Sequence, residues 1–422
     1  MADSVETPAA EVSPYLKQVR VRDYPPLRDA KVAFKPGLNI IIGPNGSGKT
    51  RFIELVSELI HPYQVHERGA ECELELGGYD GGLTITFHEP EQDLDPLISQ
   101  YGPTPPLEVR VQAEASSGSS DDFLSAIREA GLNYRHLYPI LAHHGVPLKG
   151  LPLVAASATF AFGEMGRIRL EPALNSSPEA APLLVGEIFN AFALVNAKRP
   201  KRVNGKAVPA PSTTEAQALT ERILTAYLAF LNPFLKQHSP IEEARLSRPY
   251  QIFENLTQRE TLVKGLVFEY FVAASWLPFE ALSDGTKRML YLISQLVMPW
   301  ATSTSSTTAP PEFSLHIPVR IIFLEEPELG IHPVQLTKLL SLIKEVAQTQ
   351  QVIMTTHAPQ VLDMLGADEL DRITVCSLDP EKGTQFHKLT EEKQEQARVY
   401  MKEVGFLSDY WRYSYLEETE AE

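Results

Sequence analysis

Cysteine is scarce: Cys72 and Cys376 are the only two in 422 residues. Two thiols make no disulfide framework, and neither stands at metal-ligand spacing. Their scarcity fits a reducing, cytoplasmic compartment. No apolar run approaches the roughly 20 residues of a membrane-spanning helix, so no membrane partner is expected. Met1-Ala2-Asp3-Ser4-Val5-Glu6 lacks the basic and apolar regions of a secretion signal. No sustained heptad pattern appears, which argues against a long coiled coil, and no internal repeat is visible. Basic excess is also missing: 38 Lys and Arg stand against 54 Asp and Glu, a net charge of −16. That balance opposes broad, nonspecific attraction to nucleic acid.

What is present is ordinary globular composition, 43% hydrophobic and 22% charged, on a chain long enough for one large core or two moderate ones. Leu16–Val21 and Ala30–Phe34 read as strands joined by a turn at Pro25-Pro26. Cys72–Leu76 and Leu83–Phe87 alternate at period two across a Gly-rich turn, a β-hairpin signal, and Leu107–Val111 is a further strand candidate. Loops are expected at Ser116–Asp122, at Pro209–Thr214 and along the low-complexity run Thr302–Thr308. Between about 122 and 270 the pattern is largely helical, for example at Glu215–Leu235 and Arg259–Ala274. Lys198-Arg199-Pro200-Lys201-Arg202-Val203-Asn204-Gly205-Lys206 packs five cations around an Asn-Gly hairpin turn. A solvated surface loop explains that run, and a local contact to DNA or an acidic partner is the alternative.

The most informative stretch is Gly43-Pro44-Asn45-Gly46-Ser47-Gly48-Lys49-Thr50. It fits the phosphate-binding pattern G-x-x-x-x-G-K-[ST] at every fixed position. Leu38–Ile42 before it reads as a buried strand opened by Pro36-Gly37. Phe52, Ile53, Leu55, Val56, Leu59 and Ile60 after it fall at helical spacing. The glycines let successive backbone N–H groups curl around a triphosphate. Lys49 is expected to reach the β and γ phosphates, and the Thr50 hydroxyl to hold Mg²⁺. These residues point to ATP or GTP.

A second buried strand, Val319–Leu324, delivers Glu325 and Glu326 at its C-terminal end, where open α/β sheets place ligands. The first carboxylate is expected to bind Mg²⁺ and the second to polarise the attacking water as general base. Glu325 stands where Asp is commoner, and its extra methylene lengthens the reach to the metal. Val352–Thr356 is a third such strand and ends in His357, which is expected to donate to the γ-phosphate. Leu282-Ser283-Asp284-Gly285-Thr286 opens another helix. Ser283 is a natural N-cap and Gly285 permits close backbone approach. One head cannot enclose a nucleotide with both this helix and the phosphate loop; two heads arranged head to tail can.

In this order, phosphate loop, LSDG, EEPE and TTHAP, the residues resemble the ABC-type ATPases, in the AAA-labelled branch related to SMC, RecF-like repair and OLD-family proteins. Glu326–Pro333 is similar to that branch's DEPE…LHP segment, and Thr355–Pro359 to its TTHSP switch. The resemblance implies an α/β P-loop NTPase head with a mixed sheet, an antiparallel β lobe and a mostly helical insertion. It divides the chain at 14–114, 115–265, 266–400 and 401–422. It implies an ATP-sandwich homodimer in which Ser283 and Gly285 act on the partner's nucleotide, with ATP and Mg²⁺ as cofactors. It also implies a glutamine-bearing coupling loop, for which Gln112 and Gln100 compete. No Toprim nuclease pattern and no zinc hook follow. His143-His144 has no further ligands at a telling spacing, so a structural role is expected for that pair.

The functional expectation is therefore an ATPase that drives or gates a partner in DNA repair or anti-phage defence, with DNA contact through Lys198–Lys206. The alternative is a regulatory subunit that holds a separate nuclease or toxin effector without touching DNA. A transporter nucleotide-binding subunit is the third reading, opposed by the insertion and by the LSDG and EPE…HP variants.

Overall fold

The computed structural model describes residues 15–60, 71–77, 83–88, 108–113, 116–120, 140–142, 158–161, 167–171, 202–203, 206–207, 213–247, 251–255, 260–264, 267–297, 300–304, 312–316 and 321–414. The chain divides into two compact units. One comprises Met1–His144, Val319–Glu328 and Ile343–Glu422; the other comprises Gly145–Pro318 and Leu329–Leu342.

The first unit is built on two six-stranded sheets. In one, the Leu38–Ile42 strand lies between Gln351–Thr356 and Ile373–Asp379, parallel to both. Ile321–Glu325 follows Gln351–Thr356, and Ile140–Ala142 follows in turn, again in parallel. Gly383–Lys388 closes the other edge antiparallel to Ile373–Asp379. The three central strands are buried along their whole length, as their unbroken apolar runs require of a sheet covered on both faces. The second sheet is an antiparallel lobe with Tyr15–Tyr24 between Leu27–Ala33 and Glu71–Gly77. Leu83–His88, Glu108–Ala113 and Ser116–Ser120 continue it. The first two strands and the hairpin fall where period-two alternation placed them.

Helix Lys49–Ile60 joins these layers. Phe52, Ile53, Leu55 and Val56 enter one core with Leu16, Val19 and Leu74 of the lobe and Ile41, Phe323 and Ile353 of the parallel sheet. Phe52 is 1% exposed, and its ring lies 4.9 Å from that of Phe386. Full burial of a side chain of this size is worth about 1.5–3 kcal/mol. The helix that starts at the phosphate loop is thus fixed by core packing from its first turn.

Gln351 ties the two sheets by a different means. Its buried side chain accepts from the Leu16 N–H at 2.7 Å and donates to the Leu16 carbonyl at 2.8 Å and the Lys35 carbonyl at 3.0 Å. Gln351→Leu leaves those buried backbone groups unpaired. It should cost about 1–3 kcal/mol, measured as a shift of the chemical-denaturation midpoint at unchanged slope.

The second unit contains the 26-residue helix Thr213–His238, which covers the expected Glu215–Leu235 helix. Asn232 links it to the strand Glu243–Leu246, accepting from the Ala244 N–H at 2.8 Å and donating to the Ala244 carbonyl at 3.1 Å. That strand pairs with Phe268–Val272, which turns back into Ser275–Pro278. A four-stranded sheet is formed by Ala158–Ala161, Arg167–Glu171, Gln251–Asn255 and Glu260–Lys264. The helix expected over Arg259–Ala274 is therefore corrected to two strands. Phe268 and Tyr270 are buried aromatic residues, of the kind that packs on a pleated surface. Ala273 and Ala274 both take positive φ, 49° and 62°, in the tight turn between Phe268–Val272 and Ser275–Pro278.

Other described residues of 115–265 are short strands beside the one long helix. Arg202–Val203 pairs with Lys206–Ala207 across Asn204-Gly205, the hairpin that dipeptide signals. Ser116–Ser120 and Thr302–Thr304, expected within loops, lie in strands held by main-chain pairing to Glu108–Ala113 and Glu312–His316. Such pairing needs no apolar side chain. Gln100 and His143-His144 lie outside the described residues. Gln112 is placed by its backbone only, in the strand Glu108–Ala113.

Candidate functional site

The phosphate loop leaves the C-terminal end of the buried Leu38–Ile42 strand and runs into helix Lys49–Ile60. Two of its glycines are required by their surroundings. A Cβ on Gly43 would stand 2.1 Å from the Cys376 carbonyl oxygen, at φ 152°. One on Gly48 would stand 2.2 Å from the Thr384 hydroxyl, at φ 103°. The loop is therefore pressed against the Ile373–Asp379 and Gly383–Lys388 strands. The Thr384 hydroxyl also donates to the Ser47 carbonyl at 2.7 Å, and the Cys376 thiol lies 3.5 Å from the same oxygen. With that carbonyl pinned beneath, the loop is held in its curled form. Neither Thr384 nor Cys376 was singled out as a buttress from the sequence, because nothing near them in the chain resembles a motif.

Lys49 is 4% exposed. Its ammonium donates to the Gly43 carbonyl at 2.7 Å and the Pro44 carbonyl at 2.9 Å, so it braces the mouth of the loop from within. Asn45, Gly46, Ser47, Gly48, Lys49 and Thr50 line a pocket of about 380 Å³ together with Pro26, Arg51, Glu54, Glu326 and His357. Pro26, Arg51 and Glu54 are additions to the expected set. The Arg51 guanidinium stacks over the Tyr24 ring at 4.4 Å, which holds it beside the loop.

Glu325 and Glu326 end the Ile321–Glu325 strand, as expected, and both are buried. The Thr50 hydroxyl donates to Glu325 Oε1. The two residues assigned to Mg²⁺ thus meet, although 275 positions separate them. Hydroxyl and carboxylate oxygens suit a hard cation that takes one or two protein ligands and leaves the rest to phosphate and water. No cluster of three or more His, Cys, Asp or Glu occurs among the described residues.

Glu326 has φ 41°, a conformation that costs a non-glycine residue energy and concentrates at functional positions. Its N–H donates to the Thr355 carbonyl at 3.0 Å, which fixes the turn. In this orientation Glu326 Oε1 lies 2.6 Å from His357 Nε2. The general-base candidate and the phosphate-sensing candidate, from neighbouring strands, face one pocket in contact with each other.

Glu328 was quoted in the EEPE run without a role, yet it is embedded in the site. Its Oε1 accepts from the Thr356 hydroxyl at 2.5 Å, the His357 N–H at 3.1 Å and the Ala358 N–H at 3.3 Å. The available signal was the pairing of EPE with TTH; contact between them was not readable from spacing.

Ser283 and Gly285 belong to the second unit. The Ser283 hydroxyl accepts from the Thr286 N–H at 3.3 Å and lies 2.8 Å from the Thr286 hydroxyl. It caps the helix Asp284–Leu296 as its type predicts. A Cβ on Gly285 would approach the Gly330 carbonyl to 3.0 Å, so a larger residue there would crowd that backbone. Neither cysteine is in a disulfide and both are buried; burial pushes the Cys72 thiol up, which disfavours a nucleophilic role for it.

Comparison with known proteins gives two profile matches and a set of similar folds. A family profile described as "AAA domain, putative AbiEii toxin, Type IV TA system" matches residues 201–363, and one described as "AAA domain" matches 18–57. The chain is similar to the Smc head domain with an extended coiled coil, bound to the C-terminal domain of ScpA, from Pyrococcus furiosus. That match has a TM-score of 0.50 at 13% identity and covers 92% of this chain and 100% of the other. It is likewise similar to the Smc head domain with a coiled coil and joint from Pyrococcus yayanosii, with a TM-score of 0.50 at 12% identity, covering 92% and 100%. None of the curated proteins matches the chain. The fold is like that of these Smc head domains, an α/β fold with parallel and antiparallel strands, as the motif order implied. Among the described residues, no helix is long and apolar enough to cross a membrane.

Proposed function

We propose that this SMC-head-like P-loop protein binds and hydrolyses ATP, and that two copies jointly enclose each triphosphate. The observation that carries the reading is the 2.6 Å contact between Glu326 and His357 in the pocket lined by the phosphate loop. A bare nucleotide-binding loop has no need of it.

The backbone N–H groups from Asn45 to Thr50 and the Lys49 ammonium bind the β and γ phosphates. Thr50 and Glu325 hold Mg²⁺, which when bound would neutralise charge on the phosphate oxygens. Glu326 accepts the proton of the attacking water. His357 first holds Glu326 in place; once Glu326 has taken the proton, the imidazole turns to donate to the γ-phosphate. Ser283, Gly285 and the N–H groups opening their helix complete the opposite copy's site.

Hydrolysis is proposed to gate a partner in genome defence or repair. The defence side is supported by the profile whose description names a toxin of a type IV system. A protein partner is supported by the ScpA domain bound to the similar head. The Lys198–Lys206 region remains the DNA-contact candidate. The regulator reading keeps the same chemistry and replaces DNA with an effector protein, a choice the net charge of −16 favours.

The test is ATP turnover with increasing duplex DNA at low and moderate salt, beside a pull-down from the native host. Stimulation that fades steeply with salt is the expected result for a DNA clamp. Turnover indifferent to DNA, with a neighbour-encoded effector copurifying, selects the regulator. Absence of any ATP turnover overturns both.

A further inference from the structure

We propose that Glu328 is a positioning residue for hydrolysis: its single oxygen Oε1 gathers the turn after the Gln351–Thr356 strand and thereby aims His357 at Glu326. The inference rests on the ATPase reading of this site.

Glu326 and His357 lie on separate strands. Their strands pair in register only up to Glu325 and Thr355. The Gln351–Thr356 strand stays paired on its other side with Leu38–Ile42 as far as Thr356, and His357 follows that last paired residue. Glu328 adds a side-chain tie at this point. It sits two residues beyond Glu326, is 9% exposed, and reaches across to the other strand's end. Oε1 there accepts three donors in succession: the Thr356 hydroxyl, the His357 N–H and the Ala358 N–H. The Thr356 hydroxyl in turn accepts from the Ala358 N–H at 3.0 Å. The backbone carrying the imidazole is therefore set by one acceptor and a closed local network. Glu326 is fixed from the other side, by its N–H bond to the Thr355 carbonyl and its strained φ. The 2.6 Å contact between the side chains follows from these two clamps.

Glu328 itself does not line the pocket, so its effect passes through His357. Displacement of a catalytic group by about 1 Å costs on the order of 100-fold in rate. Glu328→Ala removes the acceptor and should lower kcat for ATP by about 10- to 100-fold, with ATP affinity within about threefold of wild type. Glu328→Gln keeps an accepting oxygen. The Oε2 position takes no hydrogen bond in the structure, so an amide nitrogen there displaces no donor. That variant should recover to within about fivefold of wild type. Thr356→Val removes one of the three donors and should fall between them.

A residue that merely supports the fold would give part of this pattern, so the deciding measurement is a double-mutant cycle with His357→Ala. If Glu328 acts through His357, then Glu328→Ala in that background should change kcat by less than about twofold. Independent, multiplicative losses overturn the inference, as does wild-type kcat in Glu328→Ala. An inactive wild-type protein would instead remove the ATPase reading beneath it, and thermal melts of each variant identify any that simply fails to fold.

Discussion

Glu326→Gln should bind ATP normally and hydrolyse it about 1,000-fold more slowly than wild type. Removal of a positioned general base costs about 10²–10⁴ in rate, and the substitution leaves every other element of the pocket in place. Glutamine is isosteric and still carries an oxygen that His357 can approach, so the turn set by the Thr355 carbonyl is kept. What disappears is proton acceptance. Because nucleotide then stays intact, the proposed pair of heads should stay closed. Light scattering with saturating ATP and Mg²⁺ should show twice the mass measured without nucleotide. Rapid turnover by this variant would remove Glu326 from the chemistry. A single-copy mass at saturation would remove the sandwich while leaving the pocket.

His357 sharpens the test. Its Nε2 is engaged by Glu326, so the same nitrogen cannot at once donate fully to a phosphate oxygen. Glu326→Gln keeps an oxygen in that place, so ATP affinity near wild type is the expected accompaniment of its slow turnover. The strained φ of Glu326 suits that placement, since the backbone there is held by surrounding bonds and not by its own preference.

Much of this arrangement was legible in the chain because the chemistry is local. The phosphate loop needs glycines at fixed offsets for backbone reasons, and the buried strands before Gly43, before Glu325 and before His357 declare themselves as unbroken apolar runs. Ser283 could be read as a cap because capping is settled within three residues. The failures share a different cause. Glu328 acts on residues 28 to 30 positions away, and Thr384 supports a carbonyl 337 positions away. Such contacts exist only once the parallel sheet has set the strand order. Arg259–Ala274 misled for the opposite reason. Its apolar residues satisfy a helical spacing as well as a strand alternation, and pairing with Glu243–Leu246 and Arg167–Glu171 decided between them. In short apolar segments, periodicity alone leaves that choice to tertiary partners.

Lys49→Ala should lose ATP binding by about 100-fold and reduce whatever turnover remains by a further large factor. Hydrogen bonds to a charged donor are each worth about 1.5–3 kcal/mol, and tenfold in affinity corresponds to about 1.4 kcal/mol. Loss of the ammonium removes two such bonds to phosphate at once. The structure adds a second reason. The same nitrogen braces the Gly43 and Pro44 carbonyls, so its removal also frees the loop that must present its N–H groups. Lys49→Arg should not restore binding, because the planar guanidinium is bulkier than the ammonium and the mouth of the loop is closed around a compact donor. Fluorescent-nucleotide titration of both variants measures the loss. Melting temperatures near wild type would locate it in the pocket, since Phe52, Ile53, Leu55 and Val56 anchor the helix independently of Lys49. Wild-type affinity in Lys49→Ala would mean that the triphosphate is bound elsewhere, and the assignments of Thr50, Glu325, Glu326 and His357 would fall with it.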